Sequence, residues 1–107
     1  MARKIEIEFD EKTYVIEYNR ESVVKLMSSQ NDDESDVEKA VNIIYYGLYK
    51  HHKYNMPDKD IIYGWVMALG KDLETFVKEL TTCIEEVLTV IKSEQKSGNL
   101  KWGVVQK

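Results

Sequence analysis

A chain of 107 residues and 12.5 kDa is long enough for one hydrophobic core and too short for two, so residues 1–107 read as a single domain. Hydrophobic residues at 43% exclude a disordered class, and 32% charged residues with a mean hydropathy of -0.46 imply a well-solvated surface. A net charge of -4 and a pI near 5.2 exclude general affinity for nucleic acid or anionic membranes, both of which need a basic surface.

The chain opens on two short alternating runs. In the first, Ile5, Ile7 and Phe9 share one face while Lys4, Glu6 and Glu8 share the other; in the second, Tyr14, Ile16 and Tyr18 oppose Thr13, Val15 and Glu17. This is a β-hairpin over residues 1–19. Asp10-Glu11-Lys12 lacks the Gly or Asn of a two-residue primed turn, so a loop of three to four residues is expected. A lone hairpin is marginal in water, and Val23, Val24, Leu26 and Met27 follow at once to cover its apolar face.

The helical part occupies residues 20–97. Asn19 stands as the N-cap of a first helix over 20–29, with Glu21 in its first turn and a Glu21–Lys25 pair one turn apart. Residues 28–34 are polar and acidic, a solvated loop; consecutive carboxylates without a central Gly do not make a calcium loop. Ser35 and Glu38 form a capping-box pattern ahead of Val37, Val41, Ile44 and Leu48. Lys50-His51-His52-Lys53 closes this second helix, where cations meet the negative end of the dipole. Adjacent histidines diverge on a helix and no third ligand completes a metal shell, so no metal site is read here.

Pro57 and Asp58 open a third helix over 58–69, with Pro in its first turn, a stripe of Ile61, Ile62, Trp65, Val66 and Leu69, and Gly70 as the left-handed stop. A fourth helix over 72–97 keeps Leu73, Phe76, Val77, Leu80, Ile84, Val87, Leu88 and Ile91 on one face, with a Glu74–Lys78 surface pair, and ends at Gly98. At ~1.5 Å per residue it would be about 39 Å long, so its C-terminal half is expected to protrude or meet a partner. Residues 98–107 form a short tail able to dock as an extended segment. The fold expected is therefore α+β, a hairpin packed on about four helices. Its predicted buried set is Ile5, Ile7, Tyr14, Ile16, Val24, Val41, Ile44, Trp65, Leu69, Leu80 and Ile84.

Chemistry is sparse. Cys83 is the single cysteine and reads as a small apolar residue, which leaves no intramolecular disulfide. Two histidines lie in one helix end, the serines have no base at a recognisable spacing, five scattered glycines build no phosphate loop, and Glu85-Glu86 and Asp32-Asp33 are solvated neighbours. The reading is a protein without enzymatic activity or cofactor. Strand alternation stands where a signal peptide's apolar core would sit and no apolar run reaches the ~20 residues of a membrane span, so the expected location is the cytoplasm. Tyr45, Tyr46, Tyr49, Tyr54, Tyr63 and Trp65 cluster within 21 residues, out of eleven aromatics in the chain. Such density fits core packing, a protein-binding surface or base stacking, the last disfavoured by the acidic charge.

The layout of a small acidic chain opening KIEIEFDEKTYVIEYNRESVVKLM, continuing through an acidic loop and amphipathic helices to ETFVKELTTCIEEVLTVIKSE, resembles the tail assembly chaperones of long-tailed bacteriophages and prophages of Gram-positive bacteria. The resemblance covers about residues 4 to 95. Its most repeatable mark is the strand-turn-strand opening with an aromatic, Tyr14 or Tyr18, just before a helix start, Asn19-Arg20-Glu21-Ser22-Val23. It implies binding of the tape measure protein, which such chaperones keep soluble while tail tube subunits polymerise around it. It further implies the bacterial host cytoplasm as location, the tail tube protein as a further contact, and exposed members of the set Tyr45, Tyr46, Tyr49, Tyr54 and Tyr63 as the binding surface. A homo-oligomer is expected separately, because the hairpin has two unpaired edges and the last helix outruns the domain, and another copy could cover either. The alternative is a phage or bacterial adaptor that binds one structured partner through the same aromatic helices.

Overall fold

The computed structural model describes residues 4–94 and Gly103, and side chains through Ile91. An antiparallel hairpin, β1 (Ile5–Phe9) and β2 (Lys12–Ile16), precedes four α-helices: α1 (Arg20–Ser29), α2 (Asp36–His52), α3 (Lys59–Leu69) and α4 (Leu73–Glu94). A 3-10 turn over Gly70–Asp72 joins the last two. The fold is α+β. The expected end of α4 at Gly98 and the tail over 98–107 lie outside the described residues, apart from Gly103.

The turn is tighter than the sequence predicts. Phe9 pairs with Lys12, leaving only Asp10 and Glu11 between the strands, both with positive φ (54° and 64°). A primed turn matches the twist of the flanking strands well enough to force two carboxylate residues into a conformation that Gly or Asn usually takes.

Helix starts follow their caps. Asn19 accepts the Ser22 amide at 2.8 Å while Ser22 Oγ accepts the Asn19 amide at 2.8 Å, so the buried Ser22 completes a reciprocal box. Ser35 Oγ accepts the Glu38 amide at 3.2 Å. Pro57 lies just outside α3 rather than in its first turn: Asp58 is the N-cap, its carbonyl accepting from Ile61 and Ile62. Gly70 ends α3 with φ of +51°.

α2 is the central element, in contact with β2, α1, α3 and α4. The core gathers Ile16, Tyr18, Val23, Ala40, Val41, Ile44, Leu48, Ile62, Trp65, Val66, Leu80 and Cys83, with Ile5, Ile7, Tyr14 and Ile84 packed against it and partly exposed. Leu69 is half-buried. Val24, expected inside, is 53% exposed, and Met27 is 54% exposed, because α1 turns only Val23 and Leu26 inward and the other two face away. Along α4, burial is complete at Leu80 and Cys83, partial at Val87, Leu88 and Ile91, and low at Val90 (47% exposed). The described residues thus cover the apolar stripe less and less toward the C-terminal end of the helix.

Glu17 is the main departure from the expected alternation. It is buried, with Lys50 Nζ and His51 Nε2 each 2.7 Å from its two carboxylate oxygens. The Glu17 amide donates to the Gly47 carbonyl at 2.9 Å, and the Val15 amide donates to His52 Nε2 at 2.9 Å. The Lys50-His51-His52 run, read above as a helix cap, therefore fastens the outer edge of β2 to α2. A Cβ on Gly47 would lie 2.5 Å from Ile16 Cγ2 and 2.8 Å from the Tyr18 ring, so only glycine admits the strand this close.

Gly47→Ala is expected to cost about 1–3 kcal/mol through overpacking, read as a lower urea midpoint. Glu11→Gly, which relieves a positive φ on a residue with a Cβ, should raise stability by roughly 0.5–1 kcal/mol in the same assay. Leu80→Ala should cost ~2–5 kcal/mol.

Candidate protein-binding surface

The aromatic cluster divides three ways in space. Trp65 joins the core, with its ring 5.5 Å from Phe9 and 5.0 Å from Tyr14. Tyr54 stands apart on the turn after α2, 87% exposed, with Lys53 Nζ 5.2 Å from its ring. Tyr45, Tyr46, Tyr49 and Tyr63 form the remaining group.

The helical repeat explains that group. Val41, Ile44, Gly47 and Leu48 turn one side of α2 into the core, which leaves Asn42, Tyr46 and Tyr49 along the opposite side and Tyr45 at the margin, packed partly against the core. The three tyrosines are half-buried, and Tyr45 and Tyr46 meet edge to face at 5.2 Å. Two neighbouring helices each place one lysine over them. Lys59 Nζ from α3 lies 4.9 Å from the Tyr45 ring and 5.9 Å from Tyr46; Lys25 Nζ from α1, which the sequence paired with Glu21, lies 5.1 Å from Tyr49. An ammonium over a ring face contributes about 0.5–1 kcal/mol at an exposed site and restrains the ring.

Depressions flank the ridge. On the α3 side, Glu38, Val41, Asn42, Lys59 and Tyr63 line a cavity of 210 Å³, with Tyr63 43% exposed. On the α1 side, Val24, Lys25, Ser28, Ser29 and Tyr46 line a shallower one of 420 Å³. A ridge of restrained aromatic rings between two depressions is chemistry for burying apolar side chains of another protein, with hydroxyls and ammonium groups able to meet its polar edge.

Sequence reasoning named Tyr45, Tyr46, Tyr49 and Tyr63 and missed Val24, Lys25 and Lys59, the walls of the ridge. The signal for Val24 was an apolar residue beside Val23 that a ten-residue helix cannot also turn inward. Nothing in linear spacing pairs Lys59 with Tyr45. Among the described residues no group of three His, Cys, Asp or Glu side chains could hold a metal ion, and no helix is long and apolar enough to cross a membrane. No protein-family model, curated protein or solved structure matches the chain.

Two titratable groups beneath this face set its acid response. Lys50 holds the Glu17 carboxyl below its ordinary value of 4.5, with burial opposing and His51 assisting. Burial, with His51 and Lys12 nearby, lowers His52 from its ordinary 6.5, and His52 must be neutral to accept the Val15 amide. Both folded values lie below the unfolded ones, so each group's contribution is complete above its unfolded value and is lost as pH falls. Stability should therefore decline first below about pH 6.5 through His52 and again below about 4.5 through Glu17. In His52→Gln, whose amide oxygen accepts without titrating, urea midpoints at pH 7.5 and 5 should move together; in Glu17→Gln the lower limb should disappear.

Proposed function

We propose that this protein is a non-enzymatic assembly chaperone of the phage tail type, which binds the tape measure protein and holds it soluble while tail tube subunits assemble. The observation that carries the reading is the tyrosine ridge of α2 with its two flanking depressions, set on the strand-turn-strand and Asn19-Arg20-Glu21-Ser22-Val23 opening that resembles those chaperones. A holdase requires no reaction centre. It requires solvated surroundings, aromatic anchors and low affinity per contact, because the client must be released when tube subunits arrive.

The client segment is an amphipathic helix laid along α2 between α1 and α3, its apolar side chains entering beside Tyr46 and Tyr63. Micromolar contacts, on the order of -8 kcal/mol each, repeated along a long client by several copies of the chaperone, give retention without permanence. Several copies imply self-association, for which the C-terminal half of α4, only partly covered by the described residues, is a candidate apolar face.

Coexpression with the tape measure protein encoded nearby tests the proposal: the client should move from the insoluble to the soluble fraction. Tyr46→Ser and Tyr63→Ser together should abolish that effect while shifting the melting temperature little, since neither ring belongs to the core. An adaptor for one structured partner would leave the tape measure protein insoluble. Sedimentation at micromolar concentration should show more than the monomer.

A further inference from the structure

Among the described residues, the two edges of the hairpin are partnered unequally. In a two-residue hairpin the residues flanking the turn form a hydrogen-bonded pair, and pair type then alternates. Phe9–Lys12, Ile7–Tyr14 and Ile5–Ile16 are thus the bonded pairs, while Glu6, Glu8, Thr13 and Val15 aim their backbone groups outward. The Val15 and Glu17 amides confirm the alternation on β2, where α2 takes them up through His52 and Gly47. On β1 no described residue takes up the outward groups of Glu6 and Glu8.

Beside that edge lies a largely apolar cavity. Ile7, Glu8, Phe9, Trp65, Ala68, Leu69 and Phe76 line 210 Å³, Phe9 is 40% exposed, and the Trp65 ring in its wall carries a buried indole N–H with no acceptor. The inner face of β1 is therefore apolar and not filled by any described residue at its turn end, while its outer face carries Glu6 and Glu8, with Asp10 and Glu11 beyond.

We propose that the outer edge of β1 accepts an extended segment of a partner protein in which Lys or Arg alternates with large apolar residues. A strand added to β1 places every second side chain opposite Glu6 and Glu8 and the others over Ile7, Phe9 and the cavity, so the site reads a basic-apolar alternation. A second copy of β1 fits poorly: the register overlapping all five residues sets Glu6 opposite Glu8 twice, and like charges directly opposite are unfavourable. This surface is separate from the tyrosine ridge and does not depend on the chaperone reading.

The test uses the full chain and a capped, fluorescently labelled seven-residue peptide alternating Lys with Val and Leu. Anisotropy should show saturable binding, at least tenfold weaker for the peptide with Glu in place of Lys, and hydrogen exchange should slow at the Glu6 and Glu8 amides. Glu6→Lys with Glu8→Lys should reverse the charge preference, and Ala68→Leu, which fills the cavity, should weaken binding about tenfold. Equal binding of the two peptides, binding without protection at Glu6 and Glu8, or binding lost on Tyr46→Ser would overturn the proposal. So would protection of the same amides in the peptide-free protein that grows with its concentration, which would make a second copy the occupant.

Discussion

Everything in this molecule rests on how closely β2 crosses α2. Gly47 has no side chain, so Ile16 and Tyr18 lie where a methyl group would otherwise stand, and the strand's Glu17 amide reaches a helix carbonyl at 2.9 Å. That carbonyl already serves the helix; accepting a second bond uses its remaining lone pair. The approach also buries the Glu17 carboxylate. A buried carboxylate left unpaired would cost several kcal/mol, so Lys50 and His51 at the end of α2 are required partners rather than ornament. Ion pairing here contributes less to net stability than to uniqueness: a one-residue slip of the strand would carry the Glu17 carboxylate to the other face, away from Lys50 and His51.

Because α2 is held by β2 on one side, its opposite side is held still as well. Tyr45, Tyr46 and Tyr49 project from a helix whose inner face is locked by Ile44, Leu48 and the hairpin crossing, and Tyr18 beneath them donates its hydroxyl to the Ile43 carbonyl, its phenol pushed far toward the neutral form by burial. Tyrosine has few rotatable bonds, and lysines on two neighbouring helices restrain these rings further. Side chains restrained in this way would lose little conformational entropy if another protein were buried against them.

Helix ends were legible in the sequence because they are local: Asn19 and Ser35 at helix starts and Gly70 at a helix stop act on residues within one turn, and the structure places α1, the start of α2 and the end of α3 where those signals stand. The hairpin was legible from period-two alternation, but its turn was not, since Asp10 and Glu11 adopt positive φ only because the pairing of Phe9 with Lys12 demands it. Glu17 and Gly47 were illegible for a different reason. Their roles depend on a contact 30 residues apart in sequence, and an acidic residue on an alternating strand or a glycine within a helix carries no mark of what will be laid across it. The tyrosine ridge was half legible: composition located the rings, while the partition of Trp65 into the core and Tyr54 away from the ridge needed the packing of α3 and the turn before it.

The two faces of the hairpin show how an exposed sheet edge is managed in a fold too small to close a barrel. On the β2 side the Val15 amide goes to His52 and the Glu17 amide, just past the strand, to Gly47, so α2 covers the end of that edge away from the turn. No described residue pairs with the outer edge of β1, yet Glu6 and Glu8 stand along it, and two such strands repel when aligned in full. The same carboxylates that prevent identical chains from stacking would attract a basic strand, so protection against aggregation and selectivity for a partner arise from one pair of side chains. The apolar cavity at Phe9 and Trp65 adds the second half of that selectivity, since charge alone would admit any cationic segment while the cavity rewards only one with a large apolar residue next to the basic one.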